Sequence, residues 1–99
     1  MNVRIRPSAL ADLADGHAFY EKQELGLGGY FLDSLFADID SLALYAGIHR
    51  RVFGAHRLLG RTFPFAVYYD VIGNTAHVKA VLDCRRDPKS IRARLSDIG

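Results

Sequence analysis

Residues 65–82 read Phe65-Ala66-Val67-Tyr68-Tyr69-Asp70-Val71-Ile72-Gly73-Asn74-Thr75-Ala76-His77-Val78-Lys79-Ala80-Val81-Leu82. Two runs rich in β-branched and aromatic residues flank Gly73-Asn74, a pair that tolerates the positive φ of a tight hairpin. A two-residue turn there sets Ile72 opposite Thr75 and continues the pairing as Asp70 with His77 and Tyr68 with Lys79. Val67, Tyr69 and Val71 then share one face with Ala76, Val78 and Ala80. That face is apolar and expects a cover, while the other is polar and ionic. If the second strand runs further, Asp83 and Arg85 continue along the ionic face.

Upstream, His49–Phe53, a Gly54-Ala55 turn and His56–Phe63 predict a second hairpin. Downstream, Asp87-Pro88 pairs an N-cap acceptor with a proline at the first helical position. Ile91, Leu95 and Ile98 then form the apolar stripe of a short helix bearing Lys89, Arg92 and Arg94. At the start of the chain, Asn2–Arg6 alternates as a half-buried strand with Val3 and Ile5 on one side. Pro7-Ser8 breaks it, and Ser8 is the expected cap of a helix from Ala9 to about Leu25. Leu10, Leu13, Ala14, His17 and Tyr20 make its inner face, with Asp12 and Asp15 pointing away. Gly26 is the expected C-cap. A second helix carries Leu32, Leu35, Phe36, Ile39, Leu42, Ala43 and Ala46 on one stripe and closes at Gly47. Gly26-Leu27-Gly28-Gly29 joins the two as an antiparallel hairpin. The expected class is α+β: an N-terminal strand, a two-helix hairpin packed on a mainly antiparallel sheet, and a short C-terminal helix.

At 99 residues the chain has the length of one domain, spanning 1–99. Its 49% hydrophobic and 24% charged residues are those of an ordinary globular protein. No apolar run approaches the ~20 residues of a membrane span, and the first residues lack a signal-peptide core. The single cysteine, Cys84, excludes an internal disulfide framework, and a cytoplasmic location is expected. Charge is unevenly divided. Residues 1–48 hold three Lys or Arg against seven Asp or Glu, whereas residues 49–99 hold ten against four. Such asymmetry points to an anionic partner for the basic half.

The histidines and the lone cysteine do not match metal-ligand spacing, so neither a metal nor a cofactor is expected. Cys84 reads as a packed, inert thiol at a strand end. The glycine-rich 26–29 stretch follows a helix rather than a strand, which is the wrong context for a phosphate loop. What remains is a basic cluster of Arg57, Arg61, Lys79, Arg85 and Arg86. The pairing above puts Lys79 on the exposed sheet face, and planar guanidinium groups suit bidentate contact with phosphate. Arg86 has a structural alternative, pairing with a carboxylate while Asp87 caps the last helix.

Several pieces together resemble the toxins of the RelE/ParE superfamily. They are Val3–Pro7 followed by Ala9-x-x-Asp12-Leu13, the Tyr20-Glu21 step, Gly28-x-x-Phe31, Arg57-Leu58, Phe63-Pro64-Phe65-x-Val67-Tyr68-Tyr69, and Arg85-Arg86-Asp87-Pro88. They span essentially the whole chain in the family's order. The resemblance implies the toxin of a bacterial type II toxin–antitoxin (plasmid stabilisation or stress response) module, with a cognate antitoxin as partner and a hetero-oligomer or homo-oligomer as its assembly.

The superfamily contains two chemistries. RelE-like members cut mRNA on the ribosome through attack by the RNA's own 2′-hydroxyl, which calls for a base, cations and an acid. Arg57 would match the family's mid-sheet arginine, and Arg85 or Arg86 the arginine ending the last strand. His56 and His77 are the imidazoles that could serve as base, although His77 reads better as the cross-strand partner of Asp70. Against that chemistry, Asp83 stands where many relatives have a histidine, and 87–91 offers no proton carrier where the ribonucleases place a tyrosine or histidine. ParE-like members bind and trap DNA gyrase instead, and the Arg-Asp-Pro ending favours them. A third reading is a non-toxic binding domain of the same fold.

Overall fold

The computed structural model describes residues 1–98. Nine elements follow in order: β1 (Asn2–Ile5), α1 (Pro7–Gln23), α2 (Leu27–Asp40), α3 (Leu42–Tyr45), β2 (Arg51–Val52), β3 (Ala55–Leu59), β4 (Phe65–Ile72), β5 (Thr75–Asp83) and α4 (Pro88–Ile98). The strands form one sheet in the order β1-β5-β4-β3-β2. β1 joins β5 in parallel, and every other pair is antiparallel. This is the expected α+β architecture.

The β4–β5 hairpin has the boundaries its alternation indicates. Gly73 alone has positive φ, at 59°, as in a II′ turn. Ile72 faces Thr75 and Asp70 faces His77. The register then slips at a bulge between Tyr68 and Tyr69, so Tyr69 pairs with Val78 and Tyr68 with Ala80 rather than Lys79. A bulge inserts one residue and shifts everything beyond it. Ala80 and Leu82 therefore turn to the face opposite Val78, while Val81 rejoins it.

Both sheet faces consequently carry an apolar cluster. On one side Val67, Tyr69, Val78 and Val81 pack against Leu13, Phe31, Leu35 and Ile39 of α1 and α2. On the other, Ala55, Ala66, Tyr68, Ala80 and Leu82 pack against Ile91 and Leu95 of α4. The second face is thus ionic only where α4 does not reach. Asp87 caps α4 as expected, its Oδ1 accepting from the Lys89 N–H at 2.9 Å.

The helical hairpin is rotated from its expected face. Ala9, Asp12, Leu13, Gly16 and Tyr20 are the buried residues of α1, whereas Leu10 is 49% exposed. Asp12 points inward because it has partners there. Its Oδ2 accepts from the Val81 N–H at 2.9 Å and its Oδ1 from Arg94 Nη1 at 2.7 Å. Ser8 is not the cap. Pro7 already opens α1, and Ser8 Oγ donates to the Lys79 carbonyl at 2.6 Å. These bonds occupy part of the β5 edge left open where β1 ends opposite Val78.

α1 stops at Gln23, and Gly26 (φ 89°) precedes α2 instead of closing α1. Glu21 bends back to accept from the N–H groups of Gly26 and Gly28, the latter at 2.9 Å. Those are free donors of the first turn of α2. In α2, Phe31 replaces Phe36 on the inner face, and the helix is interrupted at Ser41 before α3. The β2–β3 turn is Phe53-Gly54, one residue earlier than expected. Both have positive φ, 55° and 82°, as a I′ turn requires. Arg92 lies over the Phe53 ring at 5.0 Å, holding that residue from the α4 side.

Candidate functional site

β3 and β4 alternate so that Arg57 and Tyr68, paired in register, lie on the α4 side of the sheet. The chain leaves β5 at Asp83 and turns through Cys84, Arg85 and Arg86 into α4, which returns over the same face. Arg57, Tyr68, Cys84 and Arg86 thereby line one cavity of about 130 Å³, walled by Phe53 and Ile91. The side-chain ion pairs among the described residues are Lys79–Asp70, Arg85–Asp83 and Arg94–Asp12, so neither Arg57 nor Arg86 forms an ion pair, although the Arg86 charge helps to lower the Asp83 pKa from a distance. Arg86 is steadied by a neutral contact, Nη2 donating to Ser90 Oγ at 2.8 Å.

The two proton-bearing groups in this cavity hold their protons. Burial pushes the Tyr68 phenol up, with the Arg57 guanidinium acting against it. Desolvation likewise raises the Cys84 thiol, opposed by Arg57. The cysteine is exposed as a residue rather than packed at the strand end. Fixed cations with a neutral phenol and a neutral thiol can bind an oxyanion and donate hydrogen bonds to it. They offer no free base at neutral pH.

The other basic residues read from the sequence are dispersed. Arg85 turns onto the Asp83 carboxylate through Nε (2.9 Å) and Nη2 (2.6 Å), which lowers the Asp83 pKa and raises that of Arg85. Arg61 lines a separate groove with Tyr30, Asp33 and Asp38 of α2. Its backbone N–H donates to Asp38 Oδ2 at 3.3 Å, and burial raises the Asp38 carboxyl. Lys79 does not join an exposed face. It is 7% exposed, with Nζ 3.1 Å from Asp70 Oδ2.

His56 stands on the opposite side of the sheet from Arg57. Its ring stacks on Tyr69 at 5.1 Å, and its Nδ1 donates to the His49 carbonyl at 2.7 Å. The phenol of Tyr69 in turn meets His49 Nδ1 and accepts from the Gly47 N–H. His77 lies near the sheet edge, in register with Arg4. Neither imidazole reaches the Arg57–Arg86 cavity. Tyr68 is the lining residue that residue-type reasoning passed over; its register with Arg57 was the available signal, since antiparallel partners share a face.

Among the described residues no group of three or more His, Cys, Asp or Glu could hold a metal ion, and no helix is long and apolar enough to cross a membrane. No family model and no curated protein sequence matches the chain. Among solved structures it is similar to a chain of the chromosomal ParDE TA system from P. aeruginosa, with a TM-score of 0.72 and 21% identity over 82% of this chain and 92% of that one. At that identity the likeness is one of fold: this chain shares the α+β scaffold of that ParDE chain.

Proposed function

We propose that this chain is a ParE-like toxin of a type II toxin–antitoxin pair, held inactive by a cognate antitoxin and acting on DNA gyrase. The observation that carries the reading is the Arg57–Arg86 cavity: two guanidinium groups that form no ion pair, beside a phenol and a thiol that hold their protons. A surface that presents cations without a proton acceptor suits a binder of a charged macromolecule better than an RNA-cleaving enzyme. The fold shared with the ParDE chain supports the same direction.

An antitoxin has a suitable seat between α1 and the free end of β5. A groove of about 220 Å³ runs there past Gly16, Phe19, Phe65, Val81 and Arg86, with Phe19 53% exposed. No strand pairs with β5 beyond Val78 on that side. An extended segment could bury the ring there and meet the β5 backbone beyond Val81, since Ser8 and Asp12 already engage the Lys79 carbonyl and the Val81 N–H.

The RelE-like alternative keeps one point in its favour, because two guanidinium groups over one cavity also suit a scissile phosphate. The test runs both assays on one toxic, folded preparation. Supercoiling by gyrase should be inhibited, and primer extension on ribosome-bound message should show no new cuts. Arg57→Ala and Arg86→Ala should each reduce toxicity on induction. Cuts inside the A-site codon, lost in Arg86→Ala, would instead make the chain a ribosome-dependent ribonuclease. Full toxicity in both folded variants would remove the cavity from the function.

A further inference from the structure

A second basic cavity lies at the other edge of the sheet. β1 turns Val3 and Ile5 toward the helices, so Arg4 faces the α4 side. Arg4 is in parallel register with His77 of β5. Arg6 follows in extended conformation, its N–H bonded to the Val78 carbonyl at 2.9 Å. Arg4, Arg6 and His77, with Ile5 and Pro7, line a cavity of about 320 Å³.

No carboxylate contributes to that lining. The acid in register with His77 is Asp70, and Lys79 already engages it at 3.1 Å. Among the described residues Arg4 and Arg6 make no ion pair and no side-chain hydrogen bond. A charged edge strand can serve merely to prevent sheet-to-sheet pairing. That role needs outward charge; it does not require two arginines and a histidine around one concavity.

The cavity also shares a sheet face with Arg57. Asp70 and Tyr68 alternate onto the same side of β4, and Tyr68 is in register with Arg57. Three strand spacings and two residues of offset put Arg4 roughly 16 Å from Arg57. A short oligonucleotide covers that span. Arg4 is exposed and Arg6 half-buried, which leaves the cavity open to a passing chain; a pocket for a free anion would enclose its ligands.

We propose that Arg4, Arg6 and His77 form a phosphate-binding subsite for single-stranded nucleic acid, distinct from the Arg57–Arg86 cavity and on the same face of the sheet. The subsite goes beyond the assignment of gyrase as target and does not depend on it. Its experiment is fluorescence anisotropy with a labelled 12-nucleotide single strand at 50, 100 and 200 mM KCl. The proteins compared are the full chain, Arg4→Gln, Arg6→Gln and the distant charge control Lys22→Gln, each checked for folding by circular dichroism. Arg4→Gln and Arg6→Gln should each weaken binding by roughly threefold or more at the lowest salt. Each should also flatten the log–log salt slope by about 0.7, the value for one lost single-strand phosphate contact. Lys22→Gln should leave both quantities unchanged, and millimolar inorganic phosphate should not displace the strand. No binding by the full chain, wild-type affinity and slope in both arginine variants, an equal loss in Lys22→Gln, or displacement by inorganic phosphate would each overturn the proposal. Neither substitution removes a side-chain hydrogen bond or ion pair among the described residues.

Discussion

Replacing Asp12 by Ala should be among the most damaging single changes away from the apolar core. The carboxylate is 8% exposed and joins three elements: its own helix α1, the Val81 N–H of β5 and Arg94 of α4. Truncation strands the Val81 N–H at a strand edge with no other partner, at a cost of about 1–3 kcal/mol. It also removes the partner of Arg94. That side chain is 27% exposed and keeps a bond to the Ser8 carbonyl at 3.2 Å. Solvent and that bond hold the second loss to about 1 kcal/mol, below the figure for a fully buried pair. The sum is about 2–4 kcal/mol, which for a chain of this size lowers the melting temperature by roughly 10–25 °C. Urea denaturation followed by circular dichroism gives the free energy directly. A double-mutant cycle with Arg94→Ala should return a coupling of about 1 kcal/mol, because each single change removes the same contact. Asp12→Asn should cost less than Asp12→Ala, since its amide oxygen can still accept from Val81. An Asp12→Ala loss under 0.5 kcal/mol would refute the reasoning. It would mean that α4 and the β5 edge do not depend on this carboxylate.

Gly28→Ala tests the approach of the two helices. A Cβ there would lie 2.7 Å from the His17 carbonyl oxygen and 2.8 Å from its ring; the forced separation should cost about 1–3 kcal/mol in a thermal melt. A second prediction concerns acid. Burial, with His56 adding repulsion, holds the His49 pKa below its usual 6.5, so the unfolded chain binds the proton more readily. Stability is therefore complete above about pH 6.5 and declines as pH falls below it. Urea midpoints from pH 7.5 to 5.5 should fall less in His49→Gln than in the wild-type chain, and parallel curves would show that the burial of His49 does not set the pH dependence. At the cavity, Arg57→Ala should reduce toxicity on induction more than Arg61→Ala, which alters a groove on the α2 side; equal effects would argue against separate roles.

Much of the architecture is legible in residue order alone. Alternation around Gly73-Asn74 identifies both central strands to within a residue, because a two-residue turn leaves no slack in register. Asp87-Pro88 and the Ile91, Leu95, Ile98 stripe mark α4 for equally local reasons. Asp12 shows where local reading fails. A carboxylate in a helical pattern looks like a solvent-facing residue until the N–H of Val81, sixty-nine positions away, supplies its partner. Ala80 moves to the α4 side because of one inserted residue, and nothing in its own composition announces a bulge.

The candidate site divides along the same line. Its residue types are present in the sequence: Arg57 and Arg86, an excess of cations after residue 48, and no metal-ligand spacing. The hairpin, the terminal helix and the α+β order are likewise local consequences of periodicity and turn chemistry. Only the tertiary structure decides which cations share a cavity. It joins Arg57 with Arg86 through the path of the chain from β5 into α4, sends His56 to the opposite face by strand alternation, and buries Lys79 against Asp70. It also joins Arg4 and Arg6 of the acidic half to His77 of the basic half. The physical reason is that periodicity acts over a few residues, whereas a charge acquires its role from neighbours that the sheet brings together from distant parts of the chain.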